Sequence, residues 1–286
     1  MYRILRKEIL NPQVIRMAIL APAVARKAQP GQFVILRTYR NGERIPLTIA
    51  DYDREEGSVT IIFQKVGATT EELARISEGE CIPDFVGPLG RPTETDGLRN
   101  VVIVAGGVGS AIAYPMAKKL AEQGTNVRTI TGYRSRDLVI LEKEFRACSD
   151  EYHLVTDDGS AGNKGLVTDA LRTILQSGDP IDQVIAIGPL VMMKFVCQLT
   201  RELGVKTIVS MNPVMIDGTG MCGGCRLTVG GKTRFACVDG PEFDGNEVDF
   251  PEAISRASMY RELERGEHEK TCRLFAQGGE IALCKQ

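Results

Sequence analysis

The stretch Asn100-Val-Val-Ile-Val-Ala105-Gly106-Gly107-Val108-Gly109-Ser110 decides the fold. An unbroken apolar run of this length reads as a strand buried on both faces, as parallel sheets require. The glycines end the strand and lead into a helix predicted through Ala113-Tyr-Pro-Met-Ala-Lys-Lys-Leu-Ala121. Glycines at such a turn let the backbone approach a pyrophosphate at the helix N-terminus. The pattern is not a full G-x-G-x-x-G, because position 112 is Ile. Val127-Arg-Thr-Ile-Thr131, Tyr152-His-Leu-Val155 and Gln183-Val-Ile-Ala-Ile187 read as further buried strands with helices between them. The expectation is an α/β, Rossmann-like nucleotide domain with crossover helices over residues 98–210.

That domain is a variant. An acid normally closes its second strand and holds a ribose, but Thr131-Gly132-Tyr133-Arg134-Ser135 reaches none before Asp137. Arg134 is a candidate for a phosphate or ribose contact, and equally for a surface ion pair. Asp157-Asp158-Gly159 and Gly188-Pro189 follow later strands, where ligands meet the carboxyl ends of a sheet; ordinary turn chemistry is the competing reading.

Upstream, residues 1–97 read as an antiparallel β-barrel or sandwich. Gln32-Phe-Val-Ile-Leu-Arg37, Pro46-Leu-Thr-Ile-Ala50 and Gly57-Ser-Val-Thr-Ile-Ile-Phe-Gln64 are strand-like, and Pro30-Gly31, Asn41-Gly42 and Pro88-Leu-Gly90 punctuate them. One short helix is predicted at Thr70–Ile76, capped by a threonine. Phe63-Gln-Lys-Val-Gly67-Ala-Thr69-Thr70 runs from a strand into that helix N-terminus, where threonines and amides can take a phosphate and Arg44 can neutralise it.

Downstream, residues 211–286 carry a Gly-rich segment and then a charged, amphipathic helix predicted from Pro251 to about Gln277. Asp217, Cys222, Cys225 and Cys237 have the spacing D-x4-C-x2-C-x11-C. Three thiols in a loop that glycines allow to wrap closely read as metal ligands, with the carboxylate as a fourth. Plant-type [2Fe–2S] proteins use a related C-x4-C-x2-C spacing with a distant fourth ligand; structural zinc is the other reading. Cys81, Cys148, Cys197, Cys272 and Cys284 are scattered singly and read as reduced structural thiols.

Composition narrows the class. The 286 residues allow two or three domains, and 43% hydrophobic with 25% charged residues is a globular profile. A net charge of −2 gives no reason to expect nucleic acid, which usually demands a basic face. No apolar run suits a membrane span, and the N-terminus lacks a signal-peptide core, so a cytoplasmic location is expected. His153 and His268 make no acid–base pair for substrate chemistry, and both read as structural.

The order of the three constellations resembles the ferredoxin–NADP reductase superfamily over nearly the whole chain. The resemblance rests on Arg44-Ile-Pro-Leu-Thr48, Val66-Gly-Ala-Thr-Thr70, Gly87-Pro-Leu-Gly90, Ala105-Gly-Gly-Val-Gly109, Gly132-Tyr-Arg-Ser135, Thr156-Asp-Asp-Gly159, Gly188-Pro189 with Met192-Met193, and the cysteine segment. Arg44 stands one place earlier, relative to Thr48, than the arginine of the superfamily's flavin motif. Within the superfamily the chain is similar to the electron-transfer subunits of class B dihydroorotate dehydrogenases. It looks more like the small subunits of NADH-dependent ferredoxin:NADP oxidoreductases, because Asp217 stands where the former have cysteine.

The resemblance implies FAD, a [2Fe–2S] cluster and NAD(H). Implied flavin contacts are Arg44, Pro46, Leu47, Thr48, Ile62, Phe63, Gln64, Gly67, Thr69 and Thr70. Implied nucleotide contacts are Gly106, Gly107, Val108, Gly109, Gly132, Tyr133, Arg134, Asp157, Asp158, Gly188 and Met192. Cluster ligands would be Asp217, Cys222, Cys225 and Cys237. The implied activity is transfer of a hydride from NADH to FAD. Single electrons would then pass through the cluster to a larger flavin/iron–sulfur subunit in a heterodimer, and indirectly to ferredoxin.

Overall fold

The computed structural model describes residues 1–276. Its first sheet joins β1 (Tyr2–Asn11), β2 (Val14–Leu20), β3 (Phe33–Arg37), β4 (Ile45–Asp53), β5 (Ser58–Gln64), β6 (Cys81–Ile82) and β7 (Asp84–Leu89). All pairs are antiparallel, in the order β6-β1-β2-β5-β4-β3-β7. β6 and β7 lie at opposite ends of that order, yet only Pro83 separates them in the chain. The sheet must therefore curl until its edges come together, and it forms a near-closed barrel.

Strand alternation fills the barrel. Val34, Leu36, Ile49, Val59, Ile61 and Phe63 point inward and are at most 2% exposed. α1 (Pro22–Ala25) and α2 (Ala68–Arg75) close over this core through Val24, Ala25 and Leu73. α2 begins two residues before the expected Thr70, because Thr70 acts from inside the helix. Its hydroxyl oxygen accepts the amides of Val66 and Gly67, both at 3.0 Å.

The second sheet contains β8 (Asn100–Gly106), β9 (Asn126–Tyr133), β10 (Glu151–Thr156), β11 (Asn163–Lys164), β12 (Gln183–Ile187) and β13 (Thr207–Ser210), all parallel, in the order β11-β10-β9-β8-β12-β13. β8 explains its own apolar run. Val101, Ile103 and Ala105 pack on one face with α3 (Gly109–Glu122) and α4 (Glu142–Ala147). Val102 and Val104 pack on the other with α5 (Val167–Leu175) and α6 (Leu190–Glu202). α3 starts four residues before the predicted Ala113 and carries Pro115 inside it. The hydrogen bond lost at Pro115 is offset by the burial of Ala113, Met116, Ala117 and Leu120.

The remaining chain supplies β14 (Arg226–Val229), β15 (Lys232–Phe235), α7 (Ala236–Asp239), β16 (Glu242–Asp244), α8 (Phe250–Ala257) and α9 (Arg261–Ala276). It is not set apart from the other two parts. β14 and β15 form a hairpin, and β16 pairs antiparallel with β13 at the edge of the second sheet. The same segment covers the outer face of β3, where Phe33 and Ile35 share a core with Met211, Met215, Cys225 and Cys237. The single helix expected from Pro251 is two helices, broken at residues 258–260; Gln277 lies outside the described residues. α8 packs on α6 and β14, whereas α9 turns away to lie on α2 of the barrel.

Barrel and α/β part are joined directly. Lys118 of α3 donates to Asp51 of β4 at 3.0 Å, and Arg16 of β2 to Glu144 of α4 at 2.6 Å. Ala50 and Ile62, on the outside of the barrel, belong to the same core as Val101 and Ile103.

Candidate functional site

The second sheet changes direction of winding at β8, which has β9 on one side and β12 on the other. Loops leaving adjacent strands on opposite sides of such a point open a crevice at the carboxyl ends. Gly106–Gly109, and Gly188-Pro189 with the first turn of α6, are those two segments. They touch: a Cβ on Gly106 would stand 2.5 Å from Met192 Sδ, and one on Gly109 only 2.5 Å from the Ile187 carbonyl oxygen. Glycine at 109 lets α3 start directly against the end of β12. The Gly107 amide donates to the Gly132 carbonyl at 2.8 Å, so β9 braces the turn from the other side. The start of α3 thus faces the crevice with its N-terminal amides and Val108 half-buried beside them.

The other nucleotide candidates divide. Arg134 is exposed next to the crevice. Asp157 is exposed at the end of β10, its amide donating to the Tyr133 carbonyl at 3.0 Å. Asp158 is a turn residue whose carboxylate accepts the Ser160 hydroxyl (2.6 Å) and amide (2.9 Å), which hold it below the usual range. Tyr133 is corrected: its ring is 5% exposed and sits in the core, so its side chain does not reach a nucleotide. Gly132 contributes closeness, since a Cβ there would meet Val167 Cγ1 at 2.3 Å.

The barrel candidates gather at β4 and the start of α2. Thr69 donates to Glu43 at 2.9 Å, tying the Glu43-Arg44 turn to the helix N-terminus. Arg44 is exposed, and Pro46, Leu47 and Thr48 are half-buried on β4 opposite Ile35, Val34 and Phe33. The space over Gly67 is open, with nothing within 4 Å of where a Cβ would stand. A helix N-terminus, an open glycine and an exposed guanidinium fit a flavin diphosphate. Thr70 is corrected in part: its hydroxyl, bonded to Val66, Gly67 and the Gly67 carbonyl, is committed to the turn. The Phe63 side chain lies in the barrel core and Ile62 in the interface core, so only their backbone can meet a ligand. Gln64 donates to Gln13 at 3.0 Å.

The cysteine segment is less assembled. Cys225 and Cys237 are buried with their sulfurs 3.2 Å apart, and burial beside Cys225 pushes the Cys237 thiol up to about 12. Cys222 is exposed, and its sulfur accepts the Gly224 amide at 3.5 Å. The Asp217 carboxylate accepts the amides of Thr219 (2.7 Å) and Cys222 (2.9 Å), which lower its pKa. Among the described residues no three His, Cys, Asp or Glu side chains converge as metal ligands. The donor set still fits an iron–sulfur cluster. A buried thiol pair, an exposed thiol on the adjoining turn and amides directed at sulfur are what such clusters use. Gly218, at φ 76°, lets the loop lie against Leu89 and Ile35 of the barrel, within 2.8 Å of where a Cβ would stand.

The other cysteines among the described residues lie outside this segment. Burial raises the Cys197 thiol to about 12 and the Cys148 thiol to about 11, which keeps both protonated. His153 bonds Glu151 at 2.8 Å, and His268 lies 3.8 Å from Glu71.

Residues 103–198 match the oxidoreductase NAD-binding domain, and residues 212–249 match the iron–sulfur cluster binding domain of dihydroorotate dehydrogenase B. A dihydroorotate dehydrogenase B (NAD(+)) electron transfer subunit homolog of Thermotoga maritima is 49% identical, over 93% of this chain and 94% of its own length. The dihydroorotate dehydrogenase B (NAD(+)) electron transfer subunit of Fusobacterium nucleatum is 32% identical over 82% of this chain and 92% of its own. The chain belongs to the family of these electron-transfer subunits and their homologues. It is an oxidoreductase subunit with a nucleotide domain of the NAD-binding type and an iron–sulfur domain. A solved chain of an NADH-dependent reduced ferredoxin-NADP oxidoreductase, described for flavin-based electron bifurcation, superposes with a TM-score of 0.89. It is 47% identical over 95% of this chain and 98% of that one. Among the described residues no helix is long and apolar enough to cross a membrane.

Sequence reasoning passed over Ser110, Glu43, Thr93 and Glu242. Ser110 was legible as the first polar residue after the glycines. Glu242 carried no local signal, because its burial depends on β16 pairing with a strand far back in the chain.

Proposed function

We propose that this chain is the small electron-transfer subunit of an NADH-dependent ferredoxin:NADP oxidoreductase, with FAD at the barrel and a [2Fe–2S] cluster in the cysteine segment. The observation that carries the reading is the 47% identity and 0.89 TM-score over 95% of the chain to such an enzyme. Asp217 in place of a first cysteine agrees with it. When bound, the flavin takes up a hydride and the cluster passes electrons singly.

The chain's own residues do the holding. The first turn of α3 and the Gly188–Met192 segment receive the dinucleotide of NADH. Arg44 and the N-terminus of α2 neutralise the flavin diphosphate, while Leu47 and Thr48 present β4 to the flavin ring. Asp217, Cys222, Cys225 and Cys237 hold the cluster. Around Cys222, Ile216 is 51% exposed, Met221 88% and Val238 39%. These exposed apolar side chains in the cysteine segment support docking of a larger flavin/iron–sulfur subunit beside the cluster, with ferredoxin engaged through that subunit.

A second reading, electron-transfer subunit of a class B dihydroorotate dehydrogenase, is favoured by the family match over residues 212–249. Purification with the native partner, followed by cofactor analysis and assays, separates the two. NADH-dependent exchange with NADPH and ferredoxin is expected. Dihydroorotate oxidation by the complex would sink the first reading in favour of the second.

A further inference from the structure

We infer that Tyr133 is a positioning residue for the nucleotide-binding glycine loop and acts through Ser110. This inference rests on the functional reading above, and it adds a role to two buried side chains. Tyr133 ends β9 and Ser110 is the second residue of α3. They are 5% and 0% exposed, so neither side chain reaches the crevice.

The phenol oxygen lies 2.8 Å from Ser110 Oγ and 2.9 Å from the Ile140 carbonyl oxygen. A phenol has one proton and a carbonyl only accepts, so the phenol donates to Ile140 and the Ser110 hydroxyl completes the chain by donating to the phenol. Burial raises the phenol's pKa and keeps that proton in place. One residue earlier on the same strand, the Gly132 carbonyl accepts the Gly107 amide at 2.8 Å. The last two residues of β9 therefore hold both ends of the four-residue stretch Gly107–Ser110. On the opposite side Ile187 and Gly188 press against Gly109. Amides meant to meet a diphosphate are effective only when their directions are set before the ligand arrives.

A phenylalanine at 133 would fill the same core volume. The oxygen is what Ser110 and Ile140 use, and removing it leaves the buried Ser110 hydroxyl without this partner. The neighbouring strand carries a matched control. Tyr152 on β10 bonds Thr131 Oγ1 at 2.7 Å, an equally short phenol contact in the same sheet that does not involve the glycine loop.

The experiment uses the full chain carrying its cofactors, in four variants: Tyr133→Phe, Ser110→Ala, the double, and Tyr152→Phe. Calorimetry gives the dissociation constant for NAD+, and dye reduction gives KM and kcat for NADH. Tyr133→Phe and Ser110→Ala should each weaken NAD+ about five-fold and raise KM similarly, with kcat within about two-fold. The double variant should be no worse than the more affected single, because both remove one contact. Tyr152→Phe should leave NAD+ affinity unchanged. Ser110→Ala reads the same contact if Tyr133→Phe does not fold. Unmoved affinity in both singles, additive losses in the double, or an equal loss in Tyr152→Phe would overturn the inference while the wild type still binds NAD+. A wild-type chain that neither binds NAD+ nor oxidises NADH overturns this inference and the functional reading together.

Discussion

Two glycine-rich loops stand at the proposed nucleotide and cluster sites, and they are built differently. Gly106–Gly109 is complete in the folded polypeptide: its proposed binding groups are backbone amides, and β8, β9, β12 and Met192 brace it. The loop from Asp217 to Cys225 uses side chains. Of its two thiols, Cys225 is buried against Cys237 and Cys222 is exposed, and its carboxylate is turned onto its own amides. A site made of backbone is finished when the sheet is finished. A site made of thiolates is finished by the metal, because ligands that must lose protons have no reason to converge without it.

The most damaging break is at the thiol pair. Replacing Cys225, 1% exposed, with serine should abolish the cluster. Visible absorbance and EPR of the cluster should vanish and electron delivery to the partner subunit should stop. NADH-dependent dye reduction should persist, since the braced loop does not depend on the cluster. Loss of NADH oxidation as well would mean that the two loops are not independent.

The reverse break is at Gly109. A Cβ there would stand 2.5 Å from the Ile187 carbonyl, and neither strand nor helix can give way cheaply. Gly109→Ala should cost about 1–3 kcal/mol of stability and weaken NADH binding about ten-fold or more, read from the denaturation midpoint and KM. Cluster EPR should be unaltered. An unchanged KM would show that the loop is not braced as described.

The contrast also explains what could be read ahead of the structure. β8 was legible because a strand covered on both faces is apolar at every position, and the iron–sulfur domain was legible because the cysteine spacing marks it. The barrel followed from short strands punctuated by turns. Side-chain direction was not legible: Tyr133 and Phe63 sit in motifs that face ligands, yet their rings point into cores. Nor was β16, a three-residue strand whose place depends on pairing with β13. The break between α8 and α9 escaped because the charged periodicity runs through it.

β16 also anchors the cysteine segment to the chain that follows the barrel, through the half-buried Glu242. Glu242 accepts the Thr93 hydroxyl at 2.6 Å, and burial pushes its pKa up to about 7, against the pull of Thr93 and with a smaller push from Glu94. A carboxyl whose folded pKa is raised holds more protons folded than unfolded, so stability falls as pH rises between the two values. The full contribution is present below the ordinary Glu range of about 4.3 and is gone above about 7. Urea midpoints should therefore fall from pH 5 to pH 7.5, and Glu242→Gln should flatten that slope. A slope unchanged in Glu242→Gln would assign it to other groups.

The finest test concerns the fourth ligand. Asp217 is held by the Thr219 and Cys222 amides at 2.7 and 2.9 Å, a geometry that serves a turn without any metal. If the carboxylate also ligates iron, it is the one hard donor among soft thiolates, and exchanging it changes the metal's electronics while sparing the fold. Asp217→Cys should retain a [2Fe–2S] EPR signal with a shifted midpoint potential. Asp217→Asn keeps one acceptor oxygen where the carboxylate offers two, so one of the two amides loses its partner, and it removes the charge; it should shift or lose the signal. The same spectrum and potential in Asp217→Ala as in the wild type would reduce Asp217 to a turn residue. The cluster would then take its fourth ligand from elsewhere, and the distinction between the two kinds of electron-transfer subunit would no longer rest on this position.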